Sequence, residues 1–253
     1  MNRSFTELKR IARETLNGRY STPVFGLMTV SIVAWILIMP FSYLLDNTPL
    51  QSVIYYFADF VIQLISIVLS MGLIYLHFNM RRKKAYSLKD IFYYVSHHPD
   101  RFILAYLLLI LFVFISLLPG ILLSIPAFIF SKTIFYVIMG IGLFIFFIFA
   151  LIIRFQYTLV FYLMIDYPDM PVKKAFSTSR SLMKGYKMRF FLLNLSFIGW
   201  FCLGVLSLFI GFLWISPYYQ QTLIGFYEDR SSSLKPSLSK GVPQDPPSFE
   251  AYC

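Results

Sequence analysis

Few side chains in this sequence could do chemistry away from water. Asp59 and Gln63 lie four residues apart within an apolar run, so both fall on one face of a helix. An acid in hydrocarbon normally faces protein or a water-filled cavity. Two readings fit the pair: a proton or cation site, or an interhelical hydrogen-bond pair near the outer surface. The second is favoured, because transport paths usually carry chains of ionisable groups.

Arg154 is the other charge set among apolar residues. It lies twelve residues before Asp166, which on a straight helix at 1.5 Å per residue is about 18 Å from that acid. A cation so deep needs partners, and the candidates are Gln220, Asn194, with Gln156 beside it, and the Leu213 carbonyl that Pro217 leaves without its helical donor. The expectation is a polar layer joining the second and third helical hairpins through Arg154. The alternative is that Arg154 marks the cytoplasmic end of its helix. His97 and His98 are adjacent, so on a helix they point about 100° apart and cannot chelate one metal alone. There is no phosphate-binding glycine loop, no G-x-S-x-G elbow and no H-E-x-x-H pair. No catalytic, cofactor-binding or metal residue is expected.

The elements that must position these residues are read from hydropathy. The chain has 253 residues, 58% of them hydrophobic and only 13% charged, against about 25% charged in soluble domains. It therefore reads as an all-α integral membrane protein. A spanning helix takes roughly 20 apolar residues, and six spans are expected, at 22–45, 53–78, 102–123, 138–165, 190–206 and 209–227. They would form three hairpins. Residues 1–21 read as an N-terminal amphipathic interfacial helix, with Leu8, Ile11, Ala12 and Leu16 on one face and Lys9, Arg10, Arg13 and Glu14 away from it. Residues 228–253, rich in Ser and Pro, read as a disordered cytoplasmic tail.

The net charge is +10, and the basic residues collect in three collars: Arg3 to Arg19, Arg81 to Arg101, and Lys173 to Arg189. The opposite loops carry almost no charge, so the positive-inside rule places both termini in the cytoplasm of a multi-pass cell-membrane protein. Each collar runs from a Lys through a short amphipathic stretch to a helix breaker (Gly18, Pro99, Gly185) and then into a span. This implies a threefold repeat in which an interfacial helix precedes each hairpin. Clusters beside apolar runs point to anionic lipid headgroups, with other membrane proteins as further partners, rather than to nucleic acid.

The stretch "SLMKGYKMRFFLLNLSFIGW", followed by "SPYYQQTLIGFYED", resembles the domain of unknown function 975 family of multipass membrane proteins, found mainly in Gram-positive bacteria. That family is distantly similar to the membrane module of some glycerophosphodiester phosphodiesterases. The resemblance rests on Met183, Lys184, Gly185, Phe190, Leu193, Leu195, Ser196, Phe197, Ile198, Gly199 and Trp200, then Pro217, Tyr218, Phe226 and Tyr227, with Asp166 and Pro168 upstream. The first half of the chain matches only in layout, and the fourth span is longer than the family pattern. Gly185, Ser196, Gly199, Trp200, Pro217 and Tyr218 are taken as packing residues, Gly199 by letting helices approach closely. The resemblance implies a topology and no reaction. The expected function is therefore a non-enzymatic role in envelope physiology or as an accessory of a membrane complex. The alternatives are a small-molecule transporter or channel using Asp59, Gln63 and Arg154, and then a membrane-embedded enzyme.

Overall fold

The structure is a computed structural model that describes residues 3–44, 48–130, 132–232 and 234. Every regular element among these residues is helical. Helix α1 (Phe5–Leu16) begins at Ser4, whose hydroxyl accepts a 3.1 Å hydrogen bond from the Glu7 amide, a side-chain cap for an otherwise unpaired N–H. It ends before Gly18, whose φ of +69° lies in the left-handed region open to glycine. Helix α2 (Ser21–Ile38) tightens into a 3-10 turn at Met39–Leu44. Helix α3 (Pro49–Arg81) starts at the Thr48 cap with Pro in its first turn.

The second collar does not form one amphipathic helix. It folds as a 3-10 turn at Leu88–Phe92 and a single turn, α4 (Tyr93–Ser96). Ser87 and Asp90 cap the 3-10 turn reciprocally, and Asn79 donates to Asp90 at 3.2 Å. Ile91 is fully buried, and a Cβ on Gly72 would stand 2.0 Å from its carbonyl oxygen. Backbone thus meets backbone here, and this turn is a wedge in the helices rather than a rod lying on a surface.

Helix α5 (Pro99–Phe130) and helix α6 (Lys132–Gln156) form the longest hairpin. The expected span at 138–165 is two helices, since α6 stops at Gln156 and α7 covers Val160–Asp166. No Gly or Pro marks that break. The Gln156 carbonyl it frees accepts from the Ser179 hydroxyl at 3.0 Å, a residue of α8 (Val172–Met183). A second break divides the expected 190–206 span into α9 (Lys187–Leu195) and α10 (Ile198–Leu206). There the freed Ser196 carbonyl accepts from Lys9 Nζ of α1 at 2.9 Å. A turn containing Leu208 and Phe209, both at positive φ, leads into α11 (Phe212–Ser231).

Among the described residues, five helical stretches are long and apolar enough to cross a membrane: Ser21–Tyr43, Pro49–Arg81, Pro99–Pro119, Tyr136–Asp166 and Lys187–Leu206. They mark the chain as a multipass membrane protein. The sixth expected span, now α11, is not among them, because Gln220, Gln221, Thr222 and the charges from Glu228 to Arg230 dilute its apolarity. It is nonetheless well enclosed, with every residue from Gln221 to Tyr227 buried. It also runs past the expected start of the tail, and Asp229, Arg230 and Ser231 are buried helical residues. Residues 235–253 of that tail lie outside the described residues.

Helix α1 lies against α11, and Leu8, Ala12 and Leu16 are wholly buried there. The stripe read as a lipid-facing surface is thus covered by protein. The three collars end alike: Gly18, His98 and Gly185 all adopt positive φ, each within a few residues of the helix that follows.

Candidate functional site

The ends of α3, α7 and α11 and the starts of α1 and α9 meet in one charged cluster. Arg81 closes α3 and pairs with Glu228 of α11 at 2.7 Å, its own side chain only 5% exposed. The next residue, Arg82, bonds Asp166 at the end of α7 and lies over the Phe78 ring at 4.8 Å. Tyr227 donates to the second oxygen of Asp166 at 2.7 Å. Asp229, 1% exposed, is shared among the Arg3 amide at 3.2 Å, Arg230 at 3.1 Å and Arg189 of α9 at 3.6 Å. The Arg230 guanidinium lies 3.8 Å above the Tyr186 ring, and Arg189 also donates to the Arg3 carbonyl.

Charges taken out of water are tolerated when paired and further hydrogen-bonded, and this cluster does both. Burial alone would pull the Arg82 pKa down, but the adjoining Asp166 carboxylate outweighs it and the net shift is upward. Burial likewise raises the Asp90 pKa, against hydrogen bonds from Asn79 and Ser87 that favour the anion. Beside the cluster, Gln221 Nε2 donates to the His77 carbonyl at 3.0 Å and lies 3.1 Å from its Nδ1, while Gln221 Oε1 is buried without a partner among the described residues. Chemically, this arrangement is a clamp. It ties Arg3 near the start of the chain to Glu228 and Asp229 near the end of α11, so both described ends lie on one side of the helices.

The residues expected from sequence fall elsewhere. Gln63 donates to Asp59 at 2.7 Å within α3 itself, so this pair joins no two helices. The polar layer exists as separate pairs: Tyr219 donates to Asn194, Gln220 donates to the Tyr162 hydroxyl at 3.1 Å, and Lys187 donates to Gln156 at 3.0 Å. Arg154 does not connect them. It is exposed and forms no hydrogen bond or ion pair among the described residues. Gly185 serves the chain turn at φ +80°, and Ser196 supplies the carbonyl held by Lys9. Pro217 and Tyr218 are buried, and Trp200 meets Tyr218 edge-on at 5.9 Å. Gly199 is the correction: a Cβ there would touch nothing within 4 Å, because its side of α10 faces outward. His97 stacks on Tyr93 at 4.3 Å. Among the described residues no group of His, Cys, Asp or Glu could hold a metal ion.

The cluster itself was missed. Its one signal in the sequence is that two apolar runs end in acids, Asp166 and Asp229, on the same side as the basic collars.

The family described as "Protein of unknown function (DUF975)" matches residues 1–233. The chain belongs to this family. The match takes in the whole clamp, from Arg3 to Arg230, so in this DUF975 protein the cluster is built entirely from residues within the family region. No curated protein and no solved structure matches, and the likeness to the glycerophosphodiesterase membrane module stays a resemblance.

Proposed function

We propose that this DUF975 protein is a non-enzymatic six-span membrane protein that gathers anionic lipid at its cytoplasmic face and acts as an accessory in envelope physiology. The observation that carries this reading is how charge is sorted at the clamp end. Asp166, Glu228 and Asp229 are consumed in ion pairs, whereas Arg13, Arg19, Lys83, Lys89, Lys174 and Lys184 remain exposed around them. An exposed ring of cations beside apolar helices attracts anionic headgroups at about 1 kcal/mol per residue near the surface.

The contact between Arg3 and Asp229 supports an even number of crossings, and six is the reading taken. An odd number of crossings would part those ends, so α11, 20 residues long and about 30 Å at 1.5 Å per residue, is counted as the return. The membrane then holds α1 and α8 at its cytoplasmic interface, with their polar faces toward water. A transport reading has less support, because Asp59 and Gln63 satisfy each other on α3 and Arg154 stands apart from both.

The test is the lipid shell of the full chain in vesicles of mixed phosphatidylglycerol and phosphatidylcholine. Spin-labelled phosphatidylglycerol should be immobilised in preference to the choline lipid, and the preference should fall in high salt and in the combined Lys83→Gln, Lys89→Gln, Lys174→Gln, Lys184→Gln variant. Equal immobilisation of the two lipids would end this reading.

A further inference from the structure

The α5–α6 hairpin encloses a cavity of about 720 Å³. Its walls are Leu109, Val113 and Leu117 of α5 and Phe147, Ala150 and Leu151 of α6, and no residue of α9, α10 or α11 lines it. Two lining rings, Phe114 and Phe147, are at once 61% and 57% exposed, so the cavity opens on the outer side of the hairpin. Tyr157, another lining residue, stacks on Phe112 at 5.3 Å and meets Phe176 of α8 at 5.1 Å, which closes the base. Polar groups gather at that closed end: Arg154, Tyr157 and Thr158. From Tyr106 to Leu117 the groove follows α5 for about 16 Å at 1.5 Å per residue.

The position of Arg154 gives the groove its chemistry. Gln156, two residues on, is held by Lys187 of the third collar and through its carbonyl by Ser179. Arg154 therefore lies about 3 Å along the helix from the collar, not near the middle of the bilayer. The guanidinium is exposed and has no ion pair among the described residues. An always-charged fork of donors without an ion pair, set at the polar end of an apolar slot, matches one kind of molecule.

We propose that this groove binds a single anionic phospholipid, with an acyl chain between α5 and α6 and the phosphate at Arg154. The site rests on the reading that this hairpin lies in the bilayer, and it differs from the lipid shell in being specific and stoichiometric. A phosphate there gives Arg154 its missing partner, and the Tyr157 and Thr158 hydroxyls stand beside it. The acyl chain fills apolar space that protein does not.

The experiment is native mass spectrometry of the full chain in detergent, titrated with dioleoylphosphatidylglycerol or dioleoylphosphatidylcholine. The wild type should hold one phosphatidylglycerol in preference to phosphatidylcholine. Arg154→Gln should bind the anionic lipid about tenfold more weakly, and Arg154→Lys should recover part of the loss. Ala150→Trp, which fills the slot, should lose both lipids at an unchanged melting temperature. Equal phosphatidylglycerol binding by the wild type and Arg154→Gln, no preference over phosphatidylcholine, or retention by a folded Ala150→Trp would each overturn the site. The combined Lys83, Lys89, Lys174 and Lys184 to Gln variant separates the two readings. It should strip the salt-sensitive shell and keep the single lipid, whereas loss of that lipid would assign it to the collars and overturn the groove.

Discussion

Helices α6 and α11 are built for opposite solvents. The most apolar part of the stretch containing α6 is only 6% buried, and its Phe144, Phe147 and Phe149 rings are exposed. Helix α11 carries two glutamines, a threonine and three consecutive charges, yet it is enclosed along most of its length. The difference shows that hydropathy here follows exposure on the outside of the helices, not enclosure by protein. A helix surrounded by its own protein can carry hydrogen-bonding and charged groups, provided each finds a partner, and those groups then fix which neighbours it takes. The inner set, α11 with α1 and the last turns of α3, is specified by such pairs; the outer set, α6 with α10 and most of α5, is specified mainly by apolarity, with polar pairs only at the Gln156 end of α6.

The strongest way to break this contrast is at Gly72, which belongs to the inner set. Gly72→Ala would drive a Cβ into the Ile91 carbonyl, a clash of backbone that no rotamer relieves. A loss of more than about 4 kcal/mol, or failure to assemble, is expected in detergent unfolding; an unchanged melting temperature would mean that the wedge is not seated there. Next comes Asp229→Ala, which leaves Arg189 and Arg230 facing each other without their shared anion. Removing one member of a buried ionic group costs about 3 kcal/mol, and thermal unfolding across a salt series would register it. The smallest effect belongs to the outer set. Gly199→Leu enters open space, and a stability change within about 0.5 kcal/mol is expected. A large drop would place a helix where α10 now faces outward.

Much of the outer set was legible in the sequence because apolar length is a local signal. The ends of α2 and α3, the basic collars and the turn before α11 all follow from runs of residue type. The breaks at residues 157–159 and 196–197 were not legible. Neither contains Gly or Pro, and each is stabilised by a donor from elsewhere in the chain, Ser179 for one and Lys9 for the other. The α1 stripe does not tell in sequence what covers it, since Leu8, Ala12 and Leu16 give the same pattern whether covered by acyl chains or, as here, by protein. The 18 Å between Arg154 and Asp166 follows from a straight helix, whereas the helix stops at Gln156 and resumes at Val160. The clamp was out of reach: Arg3 and Asp229 lie 226 residues apart, and no local pattern records which acid takes which base.

The seat of α1 on α11 sets an order of events during synthesis. Helix α1 leaves the ribosome before the other helices described, but the surface that buries Leu8 and the carboxylate that receives the Arg3 amide belong to the last of them. For the whole time that the intervening helices are being inserted, that apolar face needs temporary cover, and a membrane surface offers it. Docking of α1 then joins the two ends of the described helices, so the final position of α1 reports that translation and insertion have reached α11.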